Sequence, residues 1–230
     1  RQMCIRDSIN QPLVSEIGQK FCNVNTCPIS GDRIFFENAG GALTLKSALE
    51  TTTKFASIPD NQGRDNLASQ ALNDVIRNAK NDLSELFNTQ SGEFFMGESG
   101  TELLFRLIRN AVVASPSGGS VVGTSLEHPA SRSAAKKWSN EMGYTYLSVP
   151  HSVETGTVNP KNYADKISDT TRVVTIVHAS PVTGMGTKIK EISKIVRQKA
   201  PLAFIIVDGI QHAAHGGIDI ETYNIDGYVI

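Results

Sequence analysis

A run of five apolar residues, Ala203-Phe204-Ile205-Ile206-Val207, ends abruptly in an acid, Asp208. Three of the five are β-branched. An uninterrupted apolar run of this length reads as a strand buried on both faces, as strands are in a parallel sheet. Asp208 then stands at the strand's C-terminal end, the edge of an open α/β sheet where ligands bind. Gln211, His212 and His215 follow within one loop, so an acid, an amide and two imidazoles are offered to one crevice. The plain alternative is that Asp208 caps the next turn, as acids after strands often do.

The surrounding pattern supports the sheet. From Glu93 onward, strand-like and helix-like stretches alternate. Strands are expected at Glu93–Met96, Ser120–Thr124, Tyr144–Val149, Arg172–His178 and Leu202–Val207, with one more beginning at Tyr228. Helices are expected at Thr101–Ala114, Pro129–Met142, from Asn159-Pro160, where a cap precedes a first-turn proline, and at Lys188–Lys199. Such alternation predicts an α/β fold in three layers, a mostly parallel sheet flanked by helices. Ahead of it lie a short helix near Val14–Phe21, a strand-like Arg33–Phe36 and a helical Leu43–Ser57. A polar loop at 60–66 leads into a long amphipathic helix, Ser69–Asn88, whose stripe of Leu72, Val75, Ile76, Ala79, Leu83 and Leu86 reads as core.

The net charge of −1 gives no electrostatic reason to expect nucleic acid or an anionic membrane as partner, and no apolar run approaches the roughly 20 residues of a membrane span. Residues 1–8 resemble a translated sequencing adapter and are set aside as a scar. Cys22 and Cys27, the other cysteines, have the wrong spacing for a zinc site. They read as ordinary thiols of a reducing compartment, and the cytoplasm is the expected location.

Several turns between strand and helix carry candidate chemistry. In Gly97-Glu98-Ser99-Gly100-Thr101 a helix start offers free backbone N–H groups and two hydroxyls, which suits a phosphate. The same stretch also reads as a plain N-cap, or as a near match to the G-x-S-x-G nucleophile elbow with Thr101 in place of the last glycine. Glu127-His128-Pro129 brings an imidazole to the edge where Asp208 stands. Gly184-x-Gly186 resembles part of a dinucleotide fingerprint with Asp208 downstream, but Ile189 occupies the third glycine position. Ala39-Gly40-Gly41 lets a backbone approach something closely, or simply turns.

Taken in order, Phe36-Glu37-Asn38-Ala39-Gly40-Gly41, Asn61-x-x-Arg64, Gly100-Thr101-Glu102, Glu127-His128, Val207-Asp208-Gly209-x-Gln211, His215–Ile220 and Asp226–Val229 resemble the class V aminotransferase family. This is a pyridoxal-phosphate family of fold type I, and the resemblance is closest to its cysteine desulfurase-like branch. The resemblance implies that residues 61–230 form most of a cofactor-binding large domain. It implies that residues 9–60 contribute to a small domain and to the edge of the active site.

It further implies that Asp208 pairs with the protonated ring nitrogen of pyridoxal 5'-phosphate, keeping the ring an electron sink. Gln211 would bond the phenolic oxygen, His128 would stack on the ring and shuttle protons, and Thr101 with the Gly100 amide would hold the phosphate. Ala39, Gly40 and Arg64 would lie near the substrate. Some positions depart from the family pattern. Pro181 and Ser131 stand where asparagines are frequent, and Gly63 stands where one group of desulfurases has histidine, so the substrate type is left open.

The Schiff-base lysine of the family would fall about four residues beyond Ile230. The chain is therefore expected to be an N-terminal fragment, inactive alone. The parent is expected to be a homodimer that acts on an amino acid, foremost as a cysteine desulfurase-like C–S lyase with a sulfur-acceptor protein. An aminotransferase, a racemase-type enzyme, a lysine-less binding module and a hydrolase using Ser99 are the alternatives.

Overall fold

The computed structural model describes residues 10–59 and 62–230. The adapter-like residues 1–8 and Asn61 of the Asn61-x-x-Arg64 motif lie outside the described residues. The chain forms two compact units, one ending at Ala79 and one spanning Lys80–Ile230.

The first unit holds helix α1 (Gln11–Gln19), the two-residue strands β1 (Thr26–Cys27) and β2 (Gly31–Asp32), helix α2 (Lys46–Ala56) and the start of helix α3 (Leu67–Leu86). Asn10 caps α1 by accepting the Leu13 amide at 3.1 Å, and Asn66 caps α3 through the Ser69 amide at 2.9 Å. Strands β1 and β2 pair antiparallel. Arg33–Phe36 forms no strand, contrary to the sequence expectation; Ile34 and Phe36 are among the most exposed apolar side chains. A strand exists only where a neighbour supplies a ladder, and an apolar tetrapeptide does not encode one. The apolar stripe of α3 is likewise only partly covered: Leu72, Ile76, Ala79 and Leu83 are half-buried, while Val75 and Leu86 are exposed.

The second unit is built on helix α4 (Gly100–Ala114), β3 (Ser120–Thr124), α5 (Pro129–Glu141), β4 (Thr145–Val149), α6 (Pro160–Ala164), β5 (Thr171–Val177), α7 (Ile189–Lys199), β6 (Phe204–Asp208), α8 (Ile220–Tyr223) and β7 (Gly227–Val229). All its strand pairs are parallel, in the order β4-β3-β5-β6-β7. Glu93–Met96, expected as a strand, is an unpaired extended segment, with Phe94 stacked on Phe87. Helix α8 was not expected.

Side-chain alternation along each strand divides the core in two. Val121, Val173, Ile206 and Val229 pack with Leu104 and Ile108 of α4 and Ala130 and Ala134 of α5. Val122, Val174, Ile205 and Val207 pack on the other face with Tyr163 of α6, Ile192 and Val196 of α7 and Tyr223 of α8. The result is the three-layer sandwich that the alternation predicted. Each fully buried Ile or Val contributes about 2 kcal/mol by leaving water.

One turn sets the register of the sheet's first strand. Gly118 and Gly119 both have positive φ, and a Cβ on Gly119 would stand 2.0 Å from the Thr170 carbonyl oxygen. Gly119→Ala is therefore expected to destabilise the full-length protein by about 3 kcal/mol or more. Thermal unfolding checks this, and a melting temperature within a degree of wild type would refute the steric assignment.

The chain passes from β3 to β4 on one side and returns to place β5 on the other. This reversal is a topological switch point, where open α/β sheets bind ligands at the strands' C-terminal ends.

Candidate active site

Strands β3 and β5 are paired only over Ser120–Val122 and Thr171–Val174. β5 runs on to Val177 past those rungs, and Glu127, which follows the end of β3, reaches across to it. Its Oε1 accepts the Val177 amide at 3.0 Å and the Thr124 hydroxyl at 3.1 Å, and its Oε2 accepts the Ser131 hydroxyl at 2.7 Å. The carboxyl is buried. Burial foremost, and also the neighbouring Asp208 charge, push its pKa from 4.5 to about 7, against the pull of those three donors.

His128, the next residue, caps α5 by accepting the Ala130 amide on Nδ1 at 3.2 Å. In the neutral ring this bond assigns the proton to Nε2. The side chain is exposed at the sheet's C-terminal edge.

Asp208 ends β6 two residues after Ile206, so it faces the α4 and α5 layer. Its Oδ1 accepts the Ile210 amide at 3.2 Å; among the described residues no other donor is bonded to the carboxylate. Desolvation pushes its pKa up, while the Ile210 amide and the charge of His128 pull it down. A cationic N–H group is the natural partner for such an acid.

The start of α4 comes to the same place. A Cβ on Gly100 would meet Ile210 Cδ1 at 2.2 Å, so the helix N-terminus abuts the loop that follows Asp208. Ser99 caps the helix by accepting the Glu102 amide at 3.2 Å, which is the N-cap reading rather than a nucleophile's. The Gly100 and Thr101 amides precede the first intrahelical donor, Leu103, and are free for an anion. Glu102 in the same turn is paired with Arg106 at 2.8 Å.

The Gln211 side-chain amide Nε2 donates to His215 Nε2 at 3.2 Å. His212 stacks on His178 with ring centroids 3.5 Å apart, and His178 Nδ1 bonds the Tyr228 hydroxyl at 2.7 Å. Among the described residues neither imidazole of the loop is bonded to the Asp208 carboxylate. Desolvation, with the His212 charge second, lowers the His178 pKa to about 4, which keeps this ring neutral at physiological pH. Gly209 is required where it stands, because a Cβ would lie 2.2 Å from the Tyr228 ring.

Gly184-x-Gly186 lies in a turn that folds back, with Ala179 bridged to Gly186, rather than opening a helix. Ala39 and Gly40 lie in an exposed turn of the first unit, where Gly40 donates to the Glu37 carbonyl at 3.0 Å. Arg64 is exposed in the turn before α3. Cys22 and Cys27 are free thiols, and among the described residues no group of three His, Cys, Asp or Glu could hold a metal ion. No helix among them is long and apolar enough to cross a membrane. Glu127 and Ser131 were not singled out as site residues. The Thr124-x-x-Glu127 spacing, which resembles a capping box, was the available signal.

The C-terminal edge of a parallel sheet thus joins a buried acid, an imidazole and an open helix N-terminus, in an α/β protein. The family follows from comparison. A family model described as Aminotransferase class-V matches residues 34–230, and the chain belongs to that family. Its members, cysteine desulfurases among them, depend on pyridoxal phosphate.

The chain is 30% identical over 207 residues to the cysteine desulfurase-like protein ustD of Aspergillus flavus, covering 87% of this chain and 46% of that protein. It is 29% identical over 157 residues to a cysteine desulfurase of Nostoc sp., covering 67% of this chain and 38% of that one. It thus spans less than half the length of these relatives. In fold it is similar to the cysteine desulfurase of Thermococcus onnurineus NA1, with a TM-score of 0.78 at 17% identity over 92% of this chain and 51% of that one. The C-DES mutant with glycine linked to its PLP cofactor gives 0.69 at 21% identity, over 83% and 50%.

Proposed function

We propose that the full-length protein is a pyridoxal-phosphate enzyme that acts on an amino acid and works as a cysteine desulfurase-like C–S lyase. The observation that carries this reading is the convergence, on the α4 and α5 face of one sheet edge, of an under-bonded buried Asp208, the N-terminus of α4 and His128. When bound, pyridoxal phosphate supplies an electron sink for negative charge developing on the substrate.

The chain's own residues supply the rest. Asp208 holds a positive charge at the ring nitrogen, in a site dry enough for the pairing to be strong. The Gly100 and Thr101 amides and the Thr101 hydroxyl hold the phosphate dianion, helped by the positive end of the helix dipole. His128 would help hold the cofactor; with Nδ1 already bonded to the Ala130 amide, its Nε2 would be free to hold or pass a proton. Gln211 exchanges its bond to His215 for one to the ring oxygen. Overall the Cβ–S bond of cysteine breaks, a proton enters at Cβ to give alanine, and the sulfur passes to a thiol acceptor as a persulfide. Two copies of the full-length protein assemble as a homodimer.

The test is incubation of the full-length protein with pyridoxal phosphate, L-cysteine and a thiol reductant. Alanine and sulfide in equal amounts are expected. Pyruvate and ammonia appearing with the sulfide in place of alanine would overturn desulfuration in favour of β-elimination.

A further inference from the structure

Val177 lies beyond the rungs that pair β3 with β5, and on the β3 side its amide is bonded to the Glu127 carboxyl rather than to a strand carbonyl. The next amide, that of His178, turns the other way to the Asp208 carbonyl at 2.8 Å. A parallel sheet would ordinarily leave such a group to water or a ligand at the switch point. Here a side chain takes it, and that side chain comes from the residue immediately before His128.

We propose that Glu127 is a positioning residue: by fastening the end of β3, the first turn of α5 and the end of β5 together, it sets where the His128 ring stands. Each arm of the clamp belongs to a different element. Thr124 is the last residue of β3, Ser131 sits in the first turn of α5, and Val177 is the last residue of β5. Thr124 is itself held, its hydroxyl oxygen accepting the Leu126 amide at 3.2 Å. Glu127, Thr124 and Ser131 are all buried, so water does not compete for the bonds. His128 is exposed, and among the described residues its one side-chain bond is to its own helix, at Ala130. Its place relative to β5 and β6 is therefore inherited from the clamp one residue earlier. The Ser131 hydroxyl closes this network by donating to Glu127 Oε2 at 2.7 Å. The inference rests on the pyridoxal phosphate reading only in what His128 is positioned for.

Glutamine at 127 keeps an amide oxygen for Val177 and Thr124, and its NH2 group donates to Ser131 once that hydroxyl rotates. Leucine fills the same volume and accepts nothing. The experiment uses the full-length protein labelled with 13C at histidine Cε1, with the His128 resonance assigned by its loss in His128→Ala. In the cofactor-free protein, Glu127→Leu is expected to shift or broaden that resonance, and Glu127→Gln to restore it. After addition of pyridoxal phosphate, the visible circular dichroism of the bound cofactor is expected to fall threefold or more in Glu127→Leu and to return in Glu127→Gln.

If Glu127→Leu lowers the melting temperature but leaves both signals as in wild type, Glu127 is structural only and the proposal fails. Should Glu127→Leu not fold, Ser131→Ala removes one arm. A moved His128 resonance then supports the clamp, and an unmoved one overturns it. A wild-type protein that does not bind pyridoxal phosphate ends the cofactor reading, while the cofactor-free resonance still decides the role of Glu127.

Discussion

Asp208→Asn is expected to leave the full-length protein folded and at least as stable as wild type at neutral pH, while cutting turnover of its amino-acid substrate by about 100-fold or more. The two effects have one cause. Asp208 is buried and accepts a single bond among the described residues, from Ile210, so in the absence of a cationic partner its charge is a cost, as the raised pKa records. An amide of the same shape keeps the oxygen that Ile210 needs and removes that cost. With the cofactor bound, the same carboxylate faces a protonated nitrogen, and asparagine cannot supply the negative charge that keeps it protonated. Denaturant unfolding of the cofactor-free protein and steady-state kinetics of the loaded one measure the two halves. Turnover within threefold of wild type would remove Asp208 from the site. A stability gained together with activity lost is the pattern of a functional group rather than a structural one.

Glu127→Gln is expected to change the pH dependence of stability by about 3 kcal/mol between pH 4.5 and 7. Burial raises the pKa of Glu127 from 4.5 to about 7 in the folded protein, so the folded state binds this proton more tightly than the unfolded state does. Its contribution to stability is fully present below pH 4.5, declines as pH rises toward 7, and is lost above. Glutamine carries no such proton. The stability of Glu127→Gln minus that of wild type should therefore rise over this interval and level off beyond it. Unfolding of the cofactor-free full-length protein at pH 4.5, 6 and 8 gives the curve; a difference independent of pH would mean that the carboxyl ionises equally in both states.

The sheet was legible because its strands are buried on both sides. Val173, Val174, Ile176 and Val177, or Ile205, Ile206 and Val207, form unbroken β-branched runs, and solvent-facing alternatives for such runs are costly. The helices α4, α5 and α7 were legible from their spacing and, for α5 and α6, from a proline at the first helical position. Strand-like Arg33–Phe36 and Glu93–Met96 misled for one reason: hydrophobicity marks a residue that prefers to leave water, whereas a strand needs a partner whose identity lies far away in the chain. The order of the strands was equally silent, since it depends on which neighbour each crossover reaches.

Within the site, Asp208 and the α4 start were legible because each sits at the junction of a strong pattern with a polar residue. Glu127 was not, because its importance comes from three partners at 124, 131 and 177, one of them a backbone amide that no sequence displays. His212 and His215 showed the opposite limit. Their chemistry was evident, but only the fold reveals that one spends its ring on His178 and the other its nitrogen on Gln211.

The Tyr228 ring occupies the space that any side chain at position 209 would need, and its hydroxyl is bonded to His178. A side chain at position 209 would require the Tyr228 ring to move, and that movement would disturb its hydroxyl's bond to His178, so the three positions are sterically coupled.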